Sequence, residues 1–262
     1  MIKSLRCIPV LTAVVCAMTA STNLHADTLD INVIYLEQQR ERPPVLSNLV
    51  VHPEDEGEQG ALLGIDDNNT TGKFLKQTYS LETIIVPPED DVVAAALAAL
   101  QGTNLVVLNM PSDKLLQIAD LPEASDDLLF NAGSANVKLR SGNCRANVLH
   151  TLPSRAMLTD ALMQFFNKRK WDSIYLLEGN RDVDKLYAAS VRTSANKFRI
   201  SIAAEKQWID DADMRRNASA EIPVFTQARK YDAVVVADED DDFGQYVQYN
   251  TCLLYTSPSP RD

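Results

Sequence analysis

The chain of 262 residues is 45% hydrophobic and 23% charged, and its formal net charge is −11. This composition is typical of a globular protein and argues against a disordered chain. The negative charge repels phosphate backbones and anionic lipid, so we expect no nucleic-acid partner and no binding to a membrane surface.

Residues 1–26 have the features of a secretory signal peptide. Lys3 and Arg6 precede an apolar run that is too short to span a bilayer, and a tolerable cleavage triplet ends at Ala26. Cleavage after Ala20 is an alternative. The sequence therefore predicts export to the periplasm.

The last eleven residues, CLLYTSPSPRD (252–262), match the translation of a transposase-based sequencing adapter. We therefore expect the natural sequence to be interrupted after Thr251, and any domain that reaches this point to be incomplete. Removing both terminal segments takes away three basic residues and one acidic residue, which leaves a net charge of −13. Cys144 is then the only cysteine, so the sequence offers no internal disulfide.

Strand-length apolar runs alternate with helical segments through the first half of the chain. Strands are predicted at 31–37, 81–87, 104–109 and 127–133. Helices are predicted at 60–78, 90–102 and 111–121, the last with a proline at its start. This βαβαβαβ order predicts a first α/β domain over residues 27–150.

A second series begins with the apolar run at 146–152 and predicts a second α/β domain over residues 151–251. Further strands are predicted at 172–179, 199–208 and 231–239. Helices are predicted at 155–171, 181–198 and 213–230, the last broken at Pro223. The strands are continuous apolar runs, which favours parallel sheets covered on both faces, so we expect two doubly wound lobes.

Motifs that would indicate an enzyme are missing from the sequence. It contains no GxGxxG, no GxxxxGK[ST], no CxxC, no HExxH and no GxSxG. The acidic run at 238–244 begins like a calcium loop, but Phe243 and Tyr249 occupy the positions that need glycine and a bidentate glutamate. We therefore expect a protein that is not an enzyme, with no metal site and no intrinsic cofactor.

Three long segments resemble one family. They are FNAGSANVKLRSGNCRANVLHTLPSRAMLTDAL (130–162), KRKWDSIYLLEG (168–179) and YDAVVVADEDDDFGQYVQYNT (231–251). Together they resemble the periplasmic substrate-binding proteins of ABC-transporter systems associated with pyrroloquinoline quinone (PQQ)-dependent alcohol dehydrogenases, which have the type I periplasmic-binding-protein fold.

The resemblance implies a two-lobed receptor that closes on a small ligand, with PQQ favoured, and delivers it to an ABC permease in the inner membrane. It also implies that the second lobe is incomplete here. An alternative is a periplasmic sensor subunit that uses the same fold to report the ligand to a signalling partner. An exported enzyme is a third and more remote interpretation.

Candidate ligand residues follow from the rule that ligands bind beyond the carboxyl ends of parallel strands. PQQ is a planar tricarboxylate, so its receptor needs cationic groups and an aromatic or apolar face. Arg155 and Arg181 stand at predicted helix N-termini, which already favour anions. The other candidates are Arg140, Arg145, Ser112, Ser134, Asn131 and Tyr35. His150, at the predicted crossing between the lobes, is expected to form an interlobe hydrogen bond.

Overall fold

The computed structural model describes residues 28–40, 53–208, 214–227, 230–239 and 243–251. The predicted signal peptide at 1–26 and the segment 252–262 lie outside these residues. The strands are β1 Leu29–Gln38, β2 Gln77–Val86, β3 Leu105–Asn109, β4 Leu128–Asn131, β5 Val148–His150, β6 Ser173–Glu178, β7 Ser201–Gln207 and β8 Ala233–Ala237. The α-helices are α1 Glu56–Leu75, α2 Val92–Ala99, α3 Ser112–Ala119, α4 Arg155–Arg169, α5 Asp182–Phe198, α6 Met214–Gln227 and α7 Gly244–Thr251. Two short 3₁₀ helices span Pro122–Ala124 and Val137–Arg140.

The first lobe is built on a five-stranded parallel sheet with the order β2-β1-β3-β4-β5. This is the order of a doubly wound sheet, as the sequence predicts. One boundary differs: the run at 146–152 was expected to open the second series, but β5 pairs with β4 and completes the first sheet. The chain leaves this sheet only after His150.

Alternation of side chains along the strands separates the two faces of this sheet. Ile34, Leu36 and Leu108 point to one face and form a core with α2 and α3. Among the described helices, α1 lies beside β2 and approaches the opposite face near Tyr35. Large apolar side chains remain exposed around that face and on α1: Leu128, Leu149, Ile85, Leu62 and Phe74, the last 88% exposed.

The second lobe contains the three-stranded parallel sheet β7-β6-β8, which helices cover on both faces. Ile174 and Leu176 of β6 pack with residues of α4 and α5. The alternate residue Leu177 packs on the other face in a cluster that includes Ala218 of α6 and Tyr246 of α7. Buried parallel strands read as continuous apolar runs for this reason.

Side-chain caps and left-handed residues set the helix ends. Asp91 accepts a hydrogen bond from the Val93 amide at 3.0 Å, and Ser154 accepts one from the Met157 amide at 3.3 Å. Lys76, Lys170 and Arg199 end their helices with φ between 54° and 60°. No helix among the described residues is long and apolar enough to cross a membrane.

Two further predictions of local structure were wrong. The predicted helix at 60–78 ends at Leu75, where Lys76 adopts the left-handed conformation, and β2 begins at Gln77. The Asn69 side chain bonds both the amide and the carbonyl of Tyr79 and so connects the helix to β2. The predicted break at Pro223 does not occur, since α6 continues through it. Buried Ala218 and Ile222 pack against the second sheet and hold this helix despite the backbone bond that proline removes.

Truncation of Leu176 tests the core of the second lobe. This side chain is fully buried, so Leu176→Ala should lower the free energy of unfolding by about 2–5 kcal/mol. The matched control is Leu158→Ala on α4, where the side chain is 46% exposed and the expected change is within about 0.5 kcal/mol. Urea unfolding followed by circular dichroism measures both, and equal losses would contradict the assigned core.

Candidate functional site

The carboxyl edges of the two sheets are joined by a very short connection. β5 ends at His150, and residues 151–154, here called the crossing, lead directly to α4. Because α4 precedes β6 and runs back toward its start, the N-terminus of α4 lies at the carboxyl edge of the second sheet. The Arg155 amide also donates to the Ala135 carbonyl at 2.9 Å. The crevice predicted by the strand-end rule therefore lies beside the crossing.

Ser112 and Ser134 lie together on the first-lobe side of this crevice. Asn136 connects them, because its side-chain amide donates to Ser112 Oγ at 2.9 Å and its backbone amide approaches Ser134 Oγ at 3.5 Å. Asn136 also caps the second 3₁₀ helix through the Lys138 amide at 3.0 Å. Asn136 was not among the predicted site residues, although an asparagine between a strand and a short helix is a recognisable capping signal.

Tyr35 is part of a buried polar cluster at the same edge. Its hydroxyl donates to Glu37 Oε2 at 2.5 Å and accepts from Asn109 Nδ2 at 2.8 Å. Burial and the adjacent Glu37 carboxylate raise the pKa of Tyr35. A Cβ on Gly57 would lie 2.0 Å from the Tyr35 hydroxyl, and one on Gly133 would lie 2.4 Å from Asn109 Oδ1, so both positions need glycine.

Two arginines belong to the first-lobe edge. Arg140 donates through Nη2 to the Leu152 carbonyl of the crossing at 2.5 Å. Its Nη1 is buried and has no hydrogen-bond partner among the described residues. Arg40, just beyond β1, donates to the Gly133 carbonyl at 3.1 Å. Arg40 was not among the predicted site residues, although a basic residue directly after a strand satisfies the strand-end rule.

Neither Asn131 nor Arg145 faces the crevice, where ligand residues were expected. Asn131 is fully buried and bonds both backbone groups of Ser134, which makes it part of the loop structure. Arg145 pairs with Asp120, at 2.5 Å between Nε and Oδ1. Asp120 ends α3, which runs back from the carboxyl end of β3, so this pair lies at the opposite edge of the sheet. The structure thus corrects the placement of Arg145 in the crevice.

Arg155 lies at the carboxyl edge of the second lobe and is paired within the chain. Its guanidinium makes two hydrogen bonds to Glu239, from Nε at 2.7 Å and from Nη2 at 2.8 Å. The arginine side chain is 8% exposed and the glutamate side chain 17% exposed. This is the bidentate geometry that guanidinium–carboxylate pairs favour. The Glu239 carboxylate therefore occupies the side of the Arg155 guanidinium that was expected to bind ligand.

Arg181 lies beside this pair and is held by two further carboxylates. It contacts Asp184 through Nε at 3.0 Å and Asp238 through Nη2 at 3.0 Å. Asp184 also accepts from the Glu239 amide at 2.9 Å, which joins the two arginine clusters into one network. The other oxygen of Asp238 accepts from the amides of Phe243 and Gly244 and so caps α7.

The second-lobe edge therefore carries a surplus of negative charge. In the network, Arg155 and Arg181 face three carboxylates, those of Asp184, Asp238 and Glu239. Burial raises the pKa of Asp238 to about 6, against the opposing effects of its hydrogen bonds with Gly244 and Phe243. No cluster of three or more metal-ligating side chains occurs among the described residues, although residues 240–242 of the acidic run lie outside them.

The Asp184 carboxylate tests whether the network supports the second lobe. Asp184→Asn removes the charge that both Arg181 and the Glu239 amide contact, so the free energy of unfolding should fall by about 3–5 kcal/mol. The matched control is Asp182→Asn, two residues earlier in the same helix, where the side chain is 97% exposed. Its expected change is within about 0.5 kcal/mol. Chemical unfolding measures both, and equal effects would contradict a supporting role.

Asp238 should give the stability a defined pH dependence. Its pKa is about 6 in the fold and about 4 in the unfolded chain, so the unfolded chain loses the proton first. The contribution of this residue to the free energy of unfolding should therefore decrease as the pH rises from about 4 to about 6. In Asp238→Asn this component should be absent, while Asp182→Asn should retain it. Unfolding curves across this range provide the measurement, and an unchanged profile in Asp238→Asn would contradict the assignment.

Comparisons with known proteins identify the fold. No family model and no curated protein matches the chain. Among solved structures, an ABC transporter substrate-binding protein from Desulfitobacterium hafniense matches with a TM-score of 0.60 and 14% identity, covering 87% of this chain and 64% of that one. A structure of an ABC transporter substrate-binding protein from Desulfitobacterium hafniense in complex with Leu matches with a TM-score of 0.59, 14% identity and the same coverage. A periplasmic binding protein from Burkholderia mallei matches with a TM-score of 0.54 and 14% identity, covering 88% of this chain and 58% of that one. The chain thus spans less than two thirds of the length of these proteins. Its fold is the two-lobed α/β fold of periplasmic binding proteins.

Proposed function

We propose that this protein is a periplasmic solute-binding receptor of an ABC transport system. The proposal is based on one observation: the carboxyl edges of the two sheets are adjacent. Residues 151–154 connect them without any intervening helix or strand. Ligands of open parallel sheets bind beyond such edges, and here two of them border the same crevice. The likeness in fold to solved periplasmic binding proteins supports the same function.

Export and delivery to a permease complete the proposed role. Residues 1–26 have the pattern of a signal peptide that directs the chain to the periplasm. An ABC permease in the inner membrane would then receive the ligand from the closed receptor. The receptor itself performs no chemistry in this role, because binding and release are sufficient for delivery.

The ligand we propose is a small anion, with PQQ favoured. Its carboxylates are best matched by the first-lobe edge, where Arg140 has an unpartnered buried Nη1 among the described residues and Ser112 and Ser134 carry hydroxyl donors. The guanidiniums of Arg155 and Arg181 already contact carboxylates of the chain. Recognition of an anion would therefore begin at the first lobe, and not at Arg155 and Arg181, which the sequence favoured because they stand at helix N-termini of the second lobe.

Calorimetric titration of the folded chain with PQQ, in parallel with leucine and a small alcohol-derived acid, tests the ligand. We expect saturable binding of PQQ that weakens as salt increases, since charged groups contribute to it. Saturable binding of another compound but not of PQQ would show that PQQ is the wrong ligand, while the proposed receptor function would still stand. Absence of binding by every small molecule in a broad panel, on a chain shown to be folded, would contradict the receptor itself.

Arg140→Gln and Arg145→Gln form a matched pair for the site. Loss of a charge-assisted hydrogen bond removes about 1.5–3 kcal/mol, so Arg140→Gln should weaken PQQ affinity about tenfold or more. Arg145 lies at the opposite edge with Asp120, and Arg145→Gln should leave the affinity within about twofold. The same titration measures both variants, and equal affinities would remove Arg140 from the site.

A further inference from the structure

The imidazole of His150 lies at the point where the chain leaves the first lobe. His150 is the last residue of β5 and pairs with Asn131 at the end of β4. Its Nδ1 is 3.0 Å from Asn131 Nδ2. The contact lies within the first lobe, so the expected interlobe hydrogen bond is replaced by one that holds the start of the crossing.

The surroundings of Asn131 determine which ring nitrogen carries the proton. Asn131 Oδ1 accepts from the Ser134 amide at 2.9 Å, and Nδ2 donates to the Ser134 carbonyl at 2.8 Å. Rotating the side-chain amide by half a turn would oppose both bonds, so its orientation is fixed. Nδ2 must therefore donate to His150 Nδ1, which leaves the ring proton on Nε2. The Leu139 carbonyl of the second 3₁₀ helix also acts on the imidazole as a hydrogen-bond acceptor.

Proton uptake at Nδ1 would disrupt this arrangement. An Nδ1–H would face the N–H groups of Asn131 Nδ2, which cannot accept a hydrogen bond. Burial lowers the pKa of His150, and the positive charge of Arg140 lowers it further, while the Leu139 carbonyl acts in the opposite direction. Arg140 is the charged group acting from the 3₁₀ helix, whereas β4 presents the neutral Asn131 and the crossing begins with the neutral Thr151.

The two groups that His150 connects also hold the crossing. The Asn131 carbonyl accepts from the Thr151 amide at 3.1 Å and from the Thr151 hydroxyl at 3.0 Å. Arg140, which follows Leu139, donates to the Leu152 carbonyl at 2.5 Å. A change in the imidazole contact therefore acts on both anchors of residues 151–154.

We propose that His150 is an acid-sensitive latch on the connection between the lobes. The neutral imidazole ties Asn131 to the second 3₁₀ helix, and protonation at Nδ1 releases the tie and loosens residues 151–154. Because the fold favours the neutral imidazole, the latch is closed above the ordinary histidine range, near pH 6.5, and weakens as the pH falls below it. The inference does not depend on the identity of the ligand.

Amide hydrogen exchange followed by NMR tests the latch. The probes are the amides of Thr151 and Arg155, which bond Asn131 and Ala135, and the reference is the Ala132 amide, which bonds Leu108 within the sheet. Between pH 7.5 and 5.5, after correction for intrinsic exchange, opening at both probes should increase by up to about tenfold, because a released imidazole with the ordinary pKa near 6.5 is about tenfold more often protonated than neutral at pH 5.5. The reference amide should not change. Work in an Asp238→Asn background removes the carboxyl group that titrates near pH 6 in the second lobe.

His150→Gln and His52→Gln provide the variant and its control. His150→Gln, which cannot titrate, should abolish the pH dependence at both probes, and His52→Gln should retain it. The proposal would be overturned if lowering the pH accelerated exchange at both probes equally in His150→Gln and in the unsubstituted chain. It would also be overturned if the unsubstituted chain showed no acceleration. The tautomer gives a second test that needs no variant at position 150: nitrogen chemical shifts should show Nε2 protonated and Nδ1 unprotonated at pH 7.5. The opposite tautomer would also overturn the proposal.

Discussion

The crossing of four residues is the constraint on which the arrangement of the molecule depends. A fully extended segment from His150 to Arg155 spans at most about 18 Å, so the carboxyl edges of the two sheets cannot move far apart. The hydrogen bond from the Arg155 amide to the Ala135 carbonyl brings them closer than this limit requires. Strand ends that are distant in sequence thereby border one crevice, and the polar residues that follow them become neighbours.

The second lobe meets the crevice with a network of charges that the chain neutralises internally. Buried charges are costly unless they are paired and hydrogen-bonded, and Arg155 and Arg181 satisfy this condition through three carboxylates. Two of these carboxylates also accept backbone amides: Asp184 accepts that of Glu239, and Asp238 accepts those at the start of α7. Position and charge are thus coupled: displacement of Arg181 would leave Asp238, which caps α7, without its guanidinium partner.

Periodicity was sufficient to predict most of the fold. The alternation of apolar strands and helices gave both lobes, because buried parallel strands such as 104–109 and 233–237 are continuous apolar runs. The run at 146–152 was assigned to the wrong series, since periodicity alone does not say which sheet a strand joins. Pro223 was taken as a break because local propensity does not contain the packing of Ala218 and Ile222.

The site was predicted less completely, and the reason lies in pairing over long distances in sequence. The strand-end rule selected Ser112, Ser134 and Arg140, which the structure places at the carboxyl edge of the first sheet. It could not show that Arg155 would meet Glu239, 84 residues later, or that Arg145 would meet Asp120 at the other edge. The sequence shows that an arginine is positively charged. Whether its guanidinium can bind a ligand depends on which carboxylate the fold places against it.

Asymmetry between the two edges has a consequence for the order of binding. Carboxylates outnumber guanidiniums in the second-lobe network, whereas the first-lobe edge carries the Arg140 guanidinium and the neutral hydroxyl groups of Ser112 and Ser134. In the proposed receptor, an anion approaching the crevice would therefore be repelled by the second lobe until closure brings backbone and side-chain donors within hydrogen-bond distance. For an anionic solute, the first lobe is the surface of initial binding. In the proposed receptor, the crossing, including the His150 contact that holds it, would then determine how readily the second lobe closes over the solute.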